Sequence, residues 1–112
     1  MSLDVNVSRV KKVTCPHCGE FIEYKQIGEE LMTGGKSWYA ILEKFEYYAP
    51  YEERKSGKKK DWYGELMYLN EEQAKEILNW IPSVKPYNWA EIRSLILETL
   101  YEGDIVAIRA DW

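Results

Sequence analysis

The chain has 112 residues, of which 46% are hydrophobic and 30% charged, with a formal net charge of −4. That length suits one domain, with enough core to fold without staples. The acidic balance argues against a broad electrostatic footprint for duplex nucleic acid, whose affinity comes largely from phosphate neutralisation. No apolar run approaches the ~20 residues needed to cross a bilayer. The N-terminus lacks the basic and apolar segments of a signal peptide. With only two cysteines, a disulfide-stapled secreted framework is not expected, and a reducing, cytoplasmic setting is.

In chain order, Leu3, Val5 and Val7 alternate with Asp4, Asn6 and Ser8, which is the period of a strand with one buried face. Val10 and Val13 extend it toward the cysteines. Phe21-Ile22-Glu23-Tyr24 again has strand composition. Cys15-Pro16-His17-Cys18-Gly19 is therefore expected on a turn between two strands. Pro16 presets a turn φ, and Gly19 admits a positive one.

Thr33-Gly34-Gly35 reads as a loop, after which Ser37 is a candidate cap. Trp38, Ile41, Leu42, Phe45 and Tyr48 follow helical spacing, the competing strand reading puts Tyr39, Ile41, Phe45 and Tyr47 on one face but is interrupted by Glu43, and Ala49-Pro50 is the expected stop. Residues 52–61 lack an apolar period and read as a charged surface loop. Trp62 to Tyr68 is expected to be extended or irregular, and packed.

Asn70 with Gln73 makes a capping-box pattern, and Ala74, Ile77, Leu78 and Ile81 form one apolar face up to Pro82. Asn88 with Glu91 repeats the pattern. It is followed by an inner face of Ile92, Leu95, Ile96 and Thr99, widened by Trp89, Leu97 and Leu100. Gly103 supplies the stop. Ile105-Val106-Ala107-Ile108 fits an interior strand covered on both faces.

The fold expected is a single α+β domain over residues 1–112. It has a small, mostly antiparallel sheet built from the N-terminal strands and the C-terminal strand. The first and last strands lie at its centre, and two to three helices pack on one face.

The chemistry concentrates in Thr14-Cys15-Pro16-His17-Cys18-Gly19. Two cysteines three apart, with a proline between and a glycine after, make half of a zinc knuckle, with Cys15 and Cys18 as metal ligands. The other ligands would be carboxylates, water, or the same pair on a second chain. A second reading is redox: Cys-Pro-His-Cys matches the active-site tetrapeptide of the periplasmic disulfide-oxidase branch of the thioredoxin superfamily. There the first thiolate lies at a helix N-terminus; here β-prone Phe21-Ile22 follows instead. The third reading is a hairpin turn with reduced thiols and no ligand.

Other patterns are weaker. Arg54, Lys55 and Lys58-Lys59-Lys60 could grip phosphates while Trp62 and Tyr63 stack on bases of a single strand. Glu52, Glu53 and Asp61 instead suit a solvated, largely neutralised loop. Gly34-Gly35-Lys36-Ser37 resembles the end of a phosphate-binding loop, but that pattern requires glycine where Glu30 stands. No Ser-His-Asp arrangement can be built around the single His17. Most of the aromatic residues are expected in the core. Trp38, Tyr39, Tyr47, Tyr51, Trp62 and Tyr63 are candidates for a surface patch that binds a partner.

Both ends resemble a family of small uncharacterised proteins encoded by phages, prophages and bacteria. Members open with Met-Ser-Leu-Asp-Val and an alternating strand, as Met1 to Val7 do. Some carry a Cys-Pro-x-Cys-Gly turn. They end with an Asn-capped helix and a short strand, as Asn88-Trp89 to Leu100 and Gly103 to Arg109 do. The family's Asn-Ile-Thr-His-Asn-like middle segment has no counterpart here. The resemblance implies a phage or mobile-element setting and no particular activity. The expectation is a non-enzymatic interaction module, with zinc as the candidate cofactor and a protein partner or homodimer in place of nucleic acid or membrane.

Overall fold

The computed structural model describes residues 3–112; Met1 and Ser2 of the family-like opening lie outside them. The order is β1 (Asp4–Thr14), β2 (Phe21–Gly34), α1 (Trp38–Lys44), α2 (Tyr51–Lys55), β3 (Met67–Tyr68), α3 (Glu71–Val84), α4 (Trp89–Tyr101) and β4 (Ile105–Asp111). The strands form one antiparallel sheet in the order β2-β1-β4-β3. The fold is α+β, and the first and last long strands are neighbours at its centre.

The alternation in β1 sets the main core. Val5 pairs with Ala110 and Val7 with Ile108, so these four side chains share a face, and all four are fully buried. Trp38, Ile41 and Leu42 of α1, Ile77 and Ile81 of α3, and Ile92 and Ile96 of α4 join them in a single core. Each fully buried aliphatic side chain of this kind contributes about 1.5–3 kcal/mol by leaving water. On the opposite face of β4, Ala107 is also buried. This strand therefore reads as a continuous apolar run rather than an alternating one.

β2 is longer than its composition suggests. The strand continues through residues 26–34, so Thr33 and Gly34, expected in a loop, belong to it. The continuation is interrupted where Val7 pairs with Leu31 but Arg9 with Ile27. Ser8 thus faces an enlarged bulge in which Gly28 takes φ +73°, a conformation that costs glycine little. Gly34 closes the strand so near β1 that a Cβ there would strike the Leu3 carbonyl oxygen.

Three helix boundaries differ from expectation for identifiable reasons. α1 ends at Lys44, before Ala49-Pro50, because Glu46 turns to φ +60° and sends Tyr47 into the core. Residues 51–55 form the short α2, not part of a surface loop, with Pro50 preceding its first turn. Pro82 does not end α3. Its ring removes one backbone donor near the end, and the helix stops two residues later, where Lys85 turns left-handed and donates to the Ile81 carbonyl at 2.8 Å. The Asn70–Gln73 capping box is present in both directions. The Asn88–Glu91 box is not. Asn88 sits at φ 62° without a side-chain cap, and its amide instead reaches the Met32 carbonyl of β2 at 3.5 Å.

Tyr47 ties the middle of the chain to the last strand. Its hydroxyl donates to the Glu65 carbonyl at 2.6 Å and accepts from the Ala110 N–H at 2.9 Å. Burial raises its pKa above the ordinary phenol value, so the neutral form is the stabilising one. With the folded value raised, this contribution is complete below pH ~10 and is lost as pH climbs through the folded value. Tyr47→Phe leaves a buried N–H and C=O without this partner. It should cost about 1–3 kcal/mol in urea denaturation at neutral pH, and the loss should shrink as pH rises above ~10. An unchanged midpoint at neutral pH would show that these bonds contribute nothing.

Candidate functional site: the thiol-tipped hairpin arm

β1 runs to Thr14, but β4 accompanies it only as far as Val10, which pairs with Ile105. From Lys11 to Thr14, β2 is the only paired strand among the described residues. The two strands therefore leave the sheet as a two-stranded arm, with residues 15–20 as its turn. The thiol tetrapeptide lies between strands, as its sequence suggests, and not on the first turn of a helix.

The arm bends over the face away from the main core. Lys12 pairs with Tyr24 and Val10 with Gln26. These residues share the face that carries Ser8, Ala107 and Tyr68. Tyr24 stacks on Tyr68 of β3 with centroids 3.9 Å apart, and Phe21 tilts against Tyr24 at 4.9 Å. Beneath this bridge Ser8 and Val10 are buried. At the root of the arm, the Arg9 guanidinium reaches the Asp104 carboxylate at 2.7 Å, with Glu98 at 3.4 Å. The side chains of Arg9 and Asp104 are only 16% and 10% exposed. This pair fixes β1 to the turn entering β4, at the level where the arm departs.

The tip is held by backbone bonds. The Cys15 N–H donates to the Glu20 carbonyl and the Gly19 N–H to the Cys15 carbonyl, both at 2.8 Å. Gly19 takes the expected positive φ of 76°. Both cysteines are free thiols, Cys18 exposed and Cys15 partly so. The Cys15 thiol is held below its ordinary pKa, chiefly by the Cys18 N–H, then by the His17 N–H and the Cys18 side chain. Amides aimed at the first sulfur stabilise a thiolate and suit it as a soft-metal ligand. Among the described residues, no group of three or more His, Cys, Asp or Glu side chains gathers into a metal site. One chain thus offers two thiol ligands at this turn.

Beside the thiols the arm exposes apolar side chains. Phe21 is 50% and Ile22 57% exposed, and the Lys12 ammonium lies 5.6 Å from the Phe21 ring centre. Phe21, Ile22 and Tyr24 were legible as strand residues. The signal for their exposure is indirect: they follow a turn on a hairpin longer than the third strand able to cover it.

The six aromatic residues expected to form one surface patch separate. Trp38 and Tyr47 are fully buried, because α1 and the Glu46 turn direct them into the core. Tyr39 and Trp62 are partly buried against that core. Tyr51 and Tyr63 are exposed, at places set by α2 and the following turn. The basic segment is engaged by the chain's own groups. Arg54 is ringed by Trp112, Tyr48 and Tyr51 at 5.1, 5.7 and 5.8 Å, with Asp61 at 3.6 Å. Lys59 pairs with Glu46, and Lys60 lies 3.8 Å from the Trp62 ring centre. In the segment resembling a phosphate loop, Gly34 belongs to β2 and Ser37 precedes a seven-residue helix. A surface depression of about 460 Å³ between α1 and α3 has its Lys44 and Glu76 paired at 2.6 Å and gathers no acid–base constellation.

Comparison with protein-family models, with curated proteins and with solved structures finds no match. Among the described residues, no helix is long and apolar enough to cross a membrane.

Donation of the His17 and Cys18 amides to the Cys15 sulfur requires the folded turn. In metal-free, reduced protein, alkylation of Cys15 followed by peptide mass mapping should show a lower pH midpoint when folded than in urea. Equal midpoints would mean that the turn does not stabilise the thiolate.

Proposed function

We propose that the protein is a small, non-enzymatic interaction module of phage or mobile-element type that works through the β1–β2 arm, with zinc held at the tip by Cys15 and Cys18. One observation carries this reading. The arm carries two free thiols at its turn, followed in the chain by the exposed side chains of Phe21 and Ile22. Exposed apolar groups next to a rigid polar or metal-binding point are what a recognition surface needs. The turn also has the features of a knuckle: Pro16 between the cysteines, Gly19 at positive φ, and a Cys15 thiol held below its ordinary pKa. A reducing compartment suits the reading, because both thiols must be available to the metal. The pairing of Arg54, Lys59 and Lys60 with groups of the same chain supports a protein partner in preference to nucleic acid.

The lowered pKa of Cys15 favours a second reading, thiol–disulfide exchange. The two readings separate in one experiment. Protein purified under reducing conditions is dialysed against zinc, its bound metal is measured, and its thiols are titrated. The module reading expects bound zinc, both thiols protected from alkylation, and exposure of both after chelation. Cys15→Ser/Cys18→Ser should bind no metal and keep the wild-type far-ultraviolet circular dichroism, because neither side chain belongs to the core. Absence of zinc binding, together with reduction of a model disulfide by Cys15, would replace the module reading with the redox one.

A further inference from the structure

The zinc reading leaves a coordination deficit, and resting on that reading, we infer that two copies of this chain meet tip to tip and share one zinc ion through Cys15 and Cys18 of each. Structural zinc takes four ligands in a tetrahedron. This chain brings two sulfurs to the turn, and among the described residues no third or fourth His, Cys, Asp or Glu side chain gathers with them. A second copy supplies the missing ligands with the same geometry. A two-fold axis through the metal then makes all four thiolates equivalent in pairs, and two-fold assembly is the commonest symmetry of soluble oligomers.

Three features of the arm fit a second copy. First, β4 pairing ends at Val10 while β2 continues to Thr14, so among the described strands β4 and β3 do not flank the thiol turn and leave it open to a second tip. Second, Phe21 and Ile22 stand half exposed beside the thiols. A second tip brought close by the metal would cover part of this apolar surface. Third, the arm carries both signs of charge: Lys11, which pairs with Lys25, and Lys12 lie nearer its root, and Glu23 and Glu20 nearer the turn. Four thiolates around Zn²⁺ leave a net charge of −2. The Lys12 ammonium lies 5.6 Å from the Phe21 ring centre, near the turn that would carry this charge.

The contact is small. Two hairpin tips cover far less than the ~1,200 Å² at the lower end of stable protein interfaces. The metal therefore contributes most of the association, and removing it should separate the copies.

The test uses the full chain under reducing conditions. Zinc is added in steps while sedimentation velocity and native mass spectrometry follow assembly. The expected result is a species of two chains and one zinc, complete at half an equivalent of metal and returned to monomer by a chelator. Cys15→Ser/Cys18→Ser should remain monomeric with unchanged circular dichroism. Phe21→Ser/Ile22→Ser, which keeps all four thiols, should weaken dimerisation by about tenfold or more, as expected when buried apolar contacts worth ~1.4 kcal/mol or more are lost. Cobalt in place of zinc should give the intense absorption of an all-sulfur tetrahedron. A monomer that binds one zinc with both thiols protected would overturn the shared site and leave the knuckle standing. Failure to bind zinc at all would remove both. A dimer that persists without metal and survives loss of the thiols would assign self-association to another surface and overturn the inference.

Discussion

The architecture depends on the unequal lengths of the strands flanking β1. β2 accompanies β1 along its whole length, whereas β4 stops opposite Val10. Up to that point β1 has a neighbour on each side, and its inward residues Val5 and Val7 meet helices. Beyond it, the chain must satisfy its backbone within a two-stranded ribbon, and isolated ribbons of that kind are at best marginal in water. The structure supports this ribbon in two ways. Arg9 and Asp104 clamp its root in a half-dry position, where loss of either partner would strand a poorly hydrated charge. The enlarged bulge at Gly28 turns β2 so that Tyr24 can reach across and stack on Tyr68. The arm is thus tied at its base and along its length, and its last six residues are left free to present chemistry.

The same logic explains the fate of the aromatic residues. A domain of this size has few helices with which to fill its core, and rings supply large buried areas economically. Tyr47 and Trp38 are drawn inward, and Trp62 and Trp112 pack around Tyr47. Arg54 then inserts its guanidinium among Trp112, Tyr48 and Tyr51 while donating to the Ala49 carbonyl at 2.9 Å. In the linear sequence this arginine opens a basic run; in the fold it fastens α2 to the C-terminus. Charge counted along a chain misrepresents what a surface offers once a cation is enclosed by its own rings.

Legibility followed how local the determining interactions are. The alternation of Leu3, Val5 and Val7, the Asn70–Gln73 box and the apolar run from Ile105 to Ile108 each state their structure within a few residues, and each is found. The thiol turn was legible for the same reason, since Pro16 and Gly19 act on their own backbone. What was not legible depends on distant partners. Residues 26–34 form a strand because β1 needs a neighbour, despite the glycine and glutamates that break the pattern. Asn88 fails to cap because its amide is drawn to Met32, 56 residues away. Tyr47 differs from Tyr51 and Tyr63 through the left-handed turn at Glu46, which no periodicity announces. The exposure of Phe21 and Ile22 follows from the length of β4, a property of another segment altogether.

The position of the thiols also bears on what a metal there could contribute. In a small zinc finger the ion closes long loops and substitutes for a missing core, so coordination and folding are one process. Here Cys15 and Cys18 lie within a turn already closed by the Cys15-to-Glu20 and Gly19-to-Cys15 backbone bonds. Neither residue belongs to the core cluster. A metal bound at this turn would close a loop of only a few residues, and the entropy saved by such a closure is small. Most of the coordination free energy would therefore remain available to hold a further pair of ligands from outside the chain. A metal-binding turn that its own fold does not require is better suited to joining molecules than to stabilising one.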